Sequence, residues 1–291
     1  MRILITGANG QLGCEIRDLT CLYSSVDFIF TDLDDLDICD FNALENFIIE
    51  KKITGVINCA AYTDVDKAEE NIEIAKQVNF EGVSNLVKAL KSVNGRLIHI
   101  STDYVFDGNK SQPYNELDHV NPVGVYGKSK RAGELAITNS DINGIVIRTS
   151  WLYSSYGNNF VKKILDLVLE KKECSVVFDQ LGTPTYAKDL AITCLNIICE
   201  QNSNKINNKQ QIYHYSNEGV ASWYDFAKAI IKLGTIACKV TPVLTNDFPT
   251  KAKRPHYSVL DKTTIKNDFN IEIPYWRDSL KDCILKIPKT L

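Results

Sequence analysis

The chain opens with Met1-Arg2-Ile3-Leu4-Ile5-Thr6-Gly7-Ala8-Asn9-Gly10-Gln11-Leu12-Gly13. Arg2–Thr6 has the length and the Ile/Leu content of a strand buried on both faces. Three glycines follow at GxxGxxG spacing, and from Gly10 the apolar residues Leu12, Ile16 and Leu19 fall at helical intervals. Between a strand and a helix, glycines so spaced permit a tight turn, close approach of the backbone to a pyrophosphate and tight helix packing. The helix N-terminus adds free N–H groups. The context predicts the first turn of a dinucleotide-binding unit; a plain turn is the simpler alternative.

The same rhythm continues outward from this stretch. Short apolar runs at Asp27–Thr31, Gly55–Cys59, Arg96–Ser101 and Gly144–Thr149 alternate with amphipathic segments at Phe41–Lys51, Ile72–Ser92 and Lys128–Thr138. That alternation is the βαβ pattern of a parallel sheet. We expect an α/β fold, a Rossmann-like doubly wound parallel sheet, followed by a smaller and less regular region. After Ser150 the spacing predicts helices at Asn159–Glu170, Lys188–Cys199 and Ser222–Leu233, and strands at Ser175–Phe178 and Ile212–Ser216. The polar stretch Asn202–Lys209 reads as a surface loop, and Pro242, Pro249, Pro255, Pro274 and Pro288 punctuate an irregular tail.

Composition narrows the classes. Of 291 residues, 44% are hydrophobic and 24% charged, which excludes disordered, collagen-like and coiled-coil chains. Thirty-three Lys and Arg against 36 Asp and Glu leave a net charge of −3, so no global positive field recruits nucleic acid or anionic lipid. Nine cysteines form no CxxC and no zinc-ligand spacing. Several, such as Cys59 and Cys194, sit among apolar neighbours and read as small buried hydrophobes. An odd count without a staple pattern implies a reducing compartment. The N-terminus does not read as a signal peptide and no apolar run of about 18 residues follows, so a cytoplasmic location is expected, with neither nucleic acid nor membrane as partner.

Asp32 falls just past the second apolar run, where a carboxylate can accept hydrogen bonds from an adenosine ribose and disfavour a 2′-phosphate. A solvated carboxylate in the acidic loop Asp32–Asp37 is the competing reading. Tyr126 and Lys130, four apart at the start of a helix, project from one face. A tyrosine titrates near pH ~10, and a neighbouring ammonium together with a nicotinamide cation lowers that value, so lysine can tune tyrosine as a proton carrier. Thr102 stands at the end of the fourth strand, where doubly wound sheets place ligands and a hydroxyl can hold a carbonyl oxygen. Singly, YxxxK arises by chance and Thr102 could cap a turn; their order along the chain is what carries weight.

Strand, GxxGxxG, helix, acidic residue, strand-end Thr and YxxxK together resemble the short-chain dehydrogenase/reductase superfamily. Within it the chain is similar to the extended-type dTDP-4-dehydrorhamnose reductase family over nearly its whole length. The motifs are Gly10-Gln11-Leu12-Gly13, Asn58-Cys59-Ala60-Ala61-Tyr62-Thr63-Asp64-Val65-Asp66-Lys67-Ala68-Glu69, Ser101-Thr102-Asp103-Tyr104-Val105-Phe106-Asp107-Gly108, Tyr126-Gly127-Lys128-Ser129-Lys130-Arg131-Ala132-Gly133-Glu134, Arg148-Thr149-Ser150-Trp151 and Arg254-Pro255. The resemblance implies reduction of the C4 ketone of a dTDP-linked 6-deoxy-4-hexulose by NADH or NADPH. It implies that Tyr126 delivers the proton, Lys130 lowers the Tyr126 pKa and binds the nicotinamide ribose, and Thr102 holds the oxygen. Gly7, Gly10, Gln11, Leu12, Gly13, Asp32, Asp37, Ile38, Ala60, Ala61 and Tyr62, with Tyr126 and Lys130, would contact cofactor. Thr102, Asp103, Trp151 and Arg254 would contact the nucleotide sugar, a guanidinium suiting its diphosphate; a surface charge before Pro255 is the alternative for Arg254. Residues 1–150, completed by parts of 188–217, would form the dinucleotide-binding domain, and 151–187 with 218–291 a substrate-binding lobe.

Some members of that family are dimers bridged by Mg²⁺ through acidic residues, which leaves a homodimer open. Here Glu15 is followed only by Lys188-Asp189 where a glutamate is expected, so Glu15 and Asp189 read as solvated carboxylates and no metal is expected. Tyr257 replaces a common Asn. His99 reads as a buried strand residue, and His119, His214 and His256 lack telling neighbours. A 4,6-dehydratase would need a second carboxylate where Tyr104 stands. An epimerase, or a non-catalytic subunit like the regulatory subunit of methionine adenosyltransferase, remains a rival on the same fold.

Overall fold

A computed structural model describes residues 1–200 and 211–288. The stretch Asn202–Lys209, expected as a loop, lies outside the described residues. Strands β1 (Arg2–Thr6), β2 (Asp27–Thr31), β3 (Gly55–Asn58), β4 (Arg96–Thr102) and β5 (Asn143–Thr149) fall within two residues of the expected runs. The short strands β6 (Leu152–Tyr153), β7 (Glu173–Val177), β8 (Leu181–Gly182) and β9 (Thr185–Tyr186) follow, then β10 (Ile212–His214), β11 (Ala221–Ser222) and β12 (Lys239–Val243). Six strands form one parallel sheet in the order β10-β5-β4-β3-β1-β2. The winding reverses between β1 and β3, and open α/β sheets place their ligand crevice at the carboxyl ends of such strands.

Alternate side chains of each strand supply two cores, as a sheet buried on both faces requires. Ile3, Ile5, Ile57, Ile98, Ile145 and Ile147 pack against α1 (Gln11–Leu19) and α8 (Ala187–Cys199). Leu4, Val56, Leu97 and Val146 face α2 (Phe41–Glu50) and α5 (Gly82–Ser92) on the other side. Between α2 and α5 lie the one-turn helix α3 (Val65–Ala68) and α4 (Ile72–Lys76). The expected single helix Ile72–Ser92 is interrupted: α4 and α5 are joined by a π-helical turn at Gln77–Glu81. A π-turn inserts a residue into the helical ladder and turns side chains out of the 3.6-residue register.

Beyond α6 (Val125–Thr138) and α7 (Phe160–Glu170), the Pro-punctuated tail is more regular than expected. After α9 (Trp223–Gly234), which matches the helix expected at Ser222–Leu233, it holds β12, α10 (Thr263–Phe269) and α11 (Trp276–Lys286). Pro242 sits inside β12, opposite Val176 of β7. The pair has only two strands, so each has a free edge where a missing N–H breaks no ladder. Phe226 and Ile230 of α9, Trp276 and Leu280 of α11, and Val161 and Ile164 of α7 form a third core separate from the sheet. No helix among the described residues is long and apolar enough to cross a membrane. The cysteines are free thiols: Cys194 is buried as expected and Cys283 is buried too, whereas Cys59, also expected to be buried, is half-buried because it lines the cleft described below, Cys21 is exposed and the others are half-buried.

Candidate active site

A cleft of about 680 Å³ opens at the carboxyl ends of β1, β3, β4 and β5. Every residue assigned a cofactor, substrate or catalytic role from the sequence lines it, except Gly13 and Arg254. Gly13 packs beneath the loop, against Ala8. Gly7 adopts φ +61°, and a Cβ there would stand 2.6 Å from the Ala60 backbone nitrogen, so the turn closes onto the β3 loop only without a side chain. Gly10 caps α1 with no side-chain hydrogen bond, leaving first-turn N–H groups without a side-chain acceptor. Asp32 faces this end of the cleft but also knits it: Oδ2 accepts from Asn9 N and Oδ1 from Leu33 N, both at 2.8 Å. Both readings of Asp32 therefore have a geometric basis. Lys130 is the one Lys or Arg among the described residues that line the cleft.

At the other end stand Thr102, Asp103, Tyr126 and Lys130. The Thr102 hydroxyl donates to Asp103 Oδ1 at 3.0 Å and accepts from Tyr104 N at 3.2 Å, so it caps a 3₁₀ turn as well as lining the cleft. Burial pushes the Asp103 carboxyl up to about 6, and its Oδ2 is buried without a hydrogen-bond partner. Burial also raises the Tyr126 phenol above its usual range, with the neighbouring Thr102 hydroxyl partly opposing that rise. The Tyr104 ring meets the Tyr126 ring edge to face at 5.6 Å.

Lys130 departs from expectation. Its Nζ donates to the Ile100 carbonyl at 2.6 Å and lies 3.4 Å from His99 Nε2, so in this structure the ammonium is anchored to β4. Burial lowers its pKa to about 8, while Glu134 and Cys59 pull the other way. His99 belongs to a polar row laid down by strand register, Thr6 beside Asn58 and Asn58 beside His99. Thr6 Oγ1 donates to Asn58 Oδ1 at 2.7 Å, and Asn58 Nδ2 lies 3.0 Å from His99 Nδ1. His99 is buried as expected, and it also connects the sheet to Lys130.

Two further side chains were given no role from the sequence, although Glu134 closes the motif that begins at Tyr126. Asn79, carried inward by the π-turn, accepts from Tyr62 N at 2.9 Å and donates to Tyr62 O and Ser129 Oγ, each at 3.0 Å. It ties the Ala60–Tyr62 loop to α6 between Tyr126 and Lys130. A polar residue on a stripe otherwise made of Ala75, Val83 and Leu86 was the available signal. Glu134 of α6 accepts two bonds from Arg148 of β5, one from Ser101 of β4 and one from Arg131, at 2.6–2.8 Å. That buried cluster fixes the helix bearing Tyr126 over the sheet.

Arg254 pairs with Asp66 at 2.6 Å and donates to the Tyr104 hydroxyl at 3.3 Å. It is thus neither a free surface charge nor a lining group of the cleft. Glu15 and Asp189 are not solvated carboxylates, because their helices face the interior. Glu15 is fully buried, accepting from Ser154 Oγ at 2.6 Å with Lys286 Nζ at 3.6 Å. Asp189 accepts from Asn217 and Ser279 at 2.7 and 2.5 Å.

The family model of the RmlD substrate binding domain matches residues 1–288. A dTDP-4-dehydrorhamnose reductase of Aggregatibacter actinomycetemcomitans is 41% identical over 288 residues, 97% of each chain. A solved dTDP-4-dehydrorhamnose reductase of Clostridium acetobutylicum is 44% identical and superimposes with a TM-score of 0.92, covering 98% of each chain. That of Bacillus anthracis, in complex with NADP, is 36% identical with a TM-score of 0.92, covering 98% of this chain and 99% of that one. The glycine turn, the strand-end threonine and the YxxxK helix described above are thus those of a chain that belongs to the RmlD substrate binding domain family.

Proposed function

We propose that this protein reduces the C4 ketone of dTDP-4-dehydro-6-deoxy-L-mannose (dTDP-6-deoxy-L-lyxo-4-hexulose) to dTDP-L-rhamnose, with NADPH or NADH as reductant. The observation that carries this is the convergence of Thr102, Tyr126 and Lys130 on one cleft with the glycine turn. The Gly7 turn that a Cβ would fill, and the α1 N-terminus behind it, suit a dinucleotide pyrophosphate. The bound NADP of the Bacillus anthracis relative argues against Asp32 excluding a 2′-phosphate, and the carboxylate is already engaged by Asn9 and Leu33. Residues 1–150, completed by β10 and α8, would hold the dinucleotide, and the region built around the third core the sugar nucleotide.

When bound, the reduced nicotinamide supplies the hydride. The chain supplies the proton and the geometry. Tyr126, kept protonated by burial, gives its phenolic proton to the C4 oxygen as negative charge develops there, turning the ketone into a secondary alcohol. The Thr102 hydroxyl turns from Asp103 to hold that oxygen. Lys130 leaves the Ile100 carbonyl to hydrogen-bond the nicotinamide ribose and stabilise the phenolate left on Tyr126, which then regains a proton from solvent. Arg254 is held at hand for a diphosphate by Asp66. Every residue given a role comes from one chain, so the assignment is the same for a monomer or a homodimer.

The retention of all three reacting side chains in one cleft favours an enzyme over a regulatory subunit. Tyr104, a phenol, occupies the place where a dehydratase would need a carboxylate. Purified protein is expected to oxidise NADPH or NADH only when the 4-keto nucleotide sugar is also present. Cofactor binding without turnover would instead support the regulatory reading.

A further inference from the structure

Trp151 lines the cleft, yet two other chain segments, 182–185 and 223–226, hold it. Its backbone sits in the left-handed region, φ +48°, where a bulky side chain is held only by its surroundings. Neighbouring hydrogen bonds pin that conformation: Thr185 N donates to Trp151 O at 3.2 Å and Ser150 Oγ to Thr183 O at 2.8 Å. The indole lies flat on Trp223, ring centroids 3.6 Å apart and planes 8° from parallel. A Cβ on Gly182 would come within 2.7 Å of Trp151 Cε2 and Nε1, so only glycine lets the ring lie there. Gly182 pairs directly with Ala221 in the β8–β11 ladder. β11 runs straight into α9, where a capping box between Ser222 and Asp225 sets the first residue, Trp223. Phe160 backs Trp223 at 4.6 Å. One small sheet thus places both the stacking partner and the glycine, and Trp223 itself does not line the cleft.

We propose that Trp223 is a positioning residue for the nucleotide-sugar site: it clamps the indole of Trp151 and so fixes the wall that Trp151 presents to the sugar nucleotide. This rests on the reading above in which Trp151 contacts substrate. Strain at a non-glycine residue persists where packing over-determines it, and such positions cluster at ligand clamps. The stack and the close glycine provide that over-determination.

The test uses the full chain with Trp223→Phe, Trp223→Leu, Trp151→Leu and the Trp151→Leu/Trp223→Leu double variant. Near-ultraviolet circular dichroism reads the coupled indoles, and steady-state kinetics read KM and kcat. Trp223→Leu is expected to abolish the coupled signal and raise KM for the dTDP sugar about 10-fold, leaving kcat and KM for NADPH within about twofold. Trp223→Phe, which keeps an aromatic face, is expected to recover KM to within about threefold of the parent. Trp151→Leu is expected to raise the same KM, and the double variant to add nothing further, since both changes act through one ring. Loss of the coupled signal with KM unmoved, additive effects in the double variant, or an unchanged KM in Trp151→Leu would overturn the inference while leaving the reductase activity standing. If the parent protein neither binds nor reduces the dTDP sugar, the functional proposal itself fails and the inference with it.

Discussion

Tyr126 shows how one side chain is prepared for one task. A phenol in water is already a weak acid, and burial at the cleft floor weakens it further, so it stays protonated across the neutral range. That state suits a donor to a developing alkoxide better than the lowered pKa expected from the Tyr126/Lys130 spacing. Lys130 reaches His99 and Ile100 instead. Replacing Tyr126 with Phe is expected to lower kcat by at least about 100-fold, the scale of a lost general acid, with little change in NADPH affinity. Stopped-flow turnover alongside fluorescence titration of NADPH checks both halves, and unchanged turnover would remove Tyr126 from its role. Spacing made Tyr126, Lys130 and Thr102 legible because local helix and strand geometry governs which face they share. The anchoring of Lys130 by His99 and the left-handed backbone of Trp151 were not legible, since both are set by contacts between segments distant in sequence.

At the level of elements, the sheet was readable because strands buried on both faces carry unbroken apolar runs. The break in the helix before α5 was not, because the apolar stripe passes through the π-turn with Asn79 as its only interruption. β12 was hidden by Pro242, whose missing N–H is tolerated on a two-stranded pair. The joint between α6, β4 and β5 is carried by Glu134. Burial alone would raise its carboxyl pKa, but bonds from Arg148, Ser101 and Arg131 overcome that and hold it below the ordinary 4.5. A depressed carboxylate contributes stability above its unfolded pKa and loses that contribution as pH falls through its folded value. Arg148→Leu leaves the buried carboxylate short of two bonds and is expected to cost about 3–5 kcal/mol at pH ~7. The deficit should shrink as pH falls, because the variant's Glu134, buried without Arg148, takes up its proton at a higher pH than the parent's, and should level off once the parent's Glu134 protonates too. Urea unfolding at several pH values measures it, and a deficit constant from neutral to acid pH would contradict the ion-pair account.

Across the whole molecule, the reversal of winding between β1 and β3 places the glycine turn, the β3 loop and the strand-end hydroxyl around one cleft, while the C-terminal region brings Arg254 and the Trp223 clamp toward its rim. Most of the candidate site was legible because it lies at strand ends that the βαβ rhythm locates. Arg254 was readable as a motif but not as the partner of Asp66, 188 positions away. The net charge of −3 is no obstacle to anionic ligands in the function proposed, since a helix N-terminus at the cleft, with Lys130 in its lining and Arg254 beside Tyr104, would act locally. The central claim is transfer of hydride to C4 of the sugar with a proton from Tyr126. Its most direct test supplies NADPH carrying deuterium at the transferable position together with dTDP-4-dehydro-6-deoxy-L-mannose, and follows the product by NMR. The account predicts dTDP-L-rhamnose deuterated at C4 in an amount equal to the NADPH oxidised; NADPH oxidation without deuterium at C4, or tight NADPH binding with the ketone left intact, would contradict it.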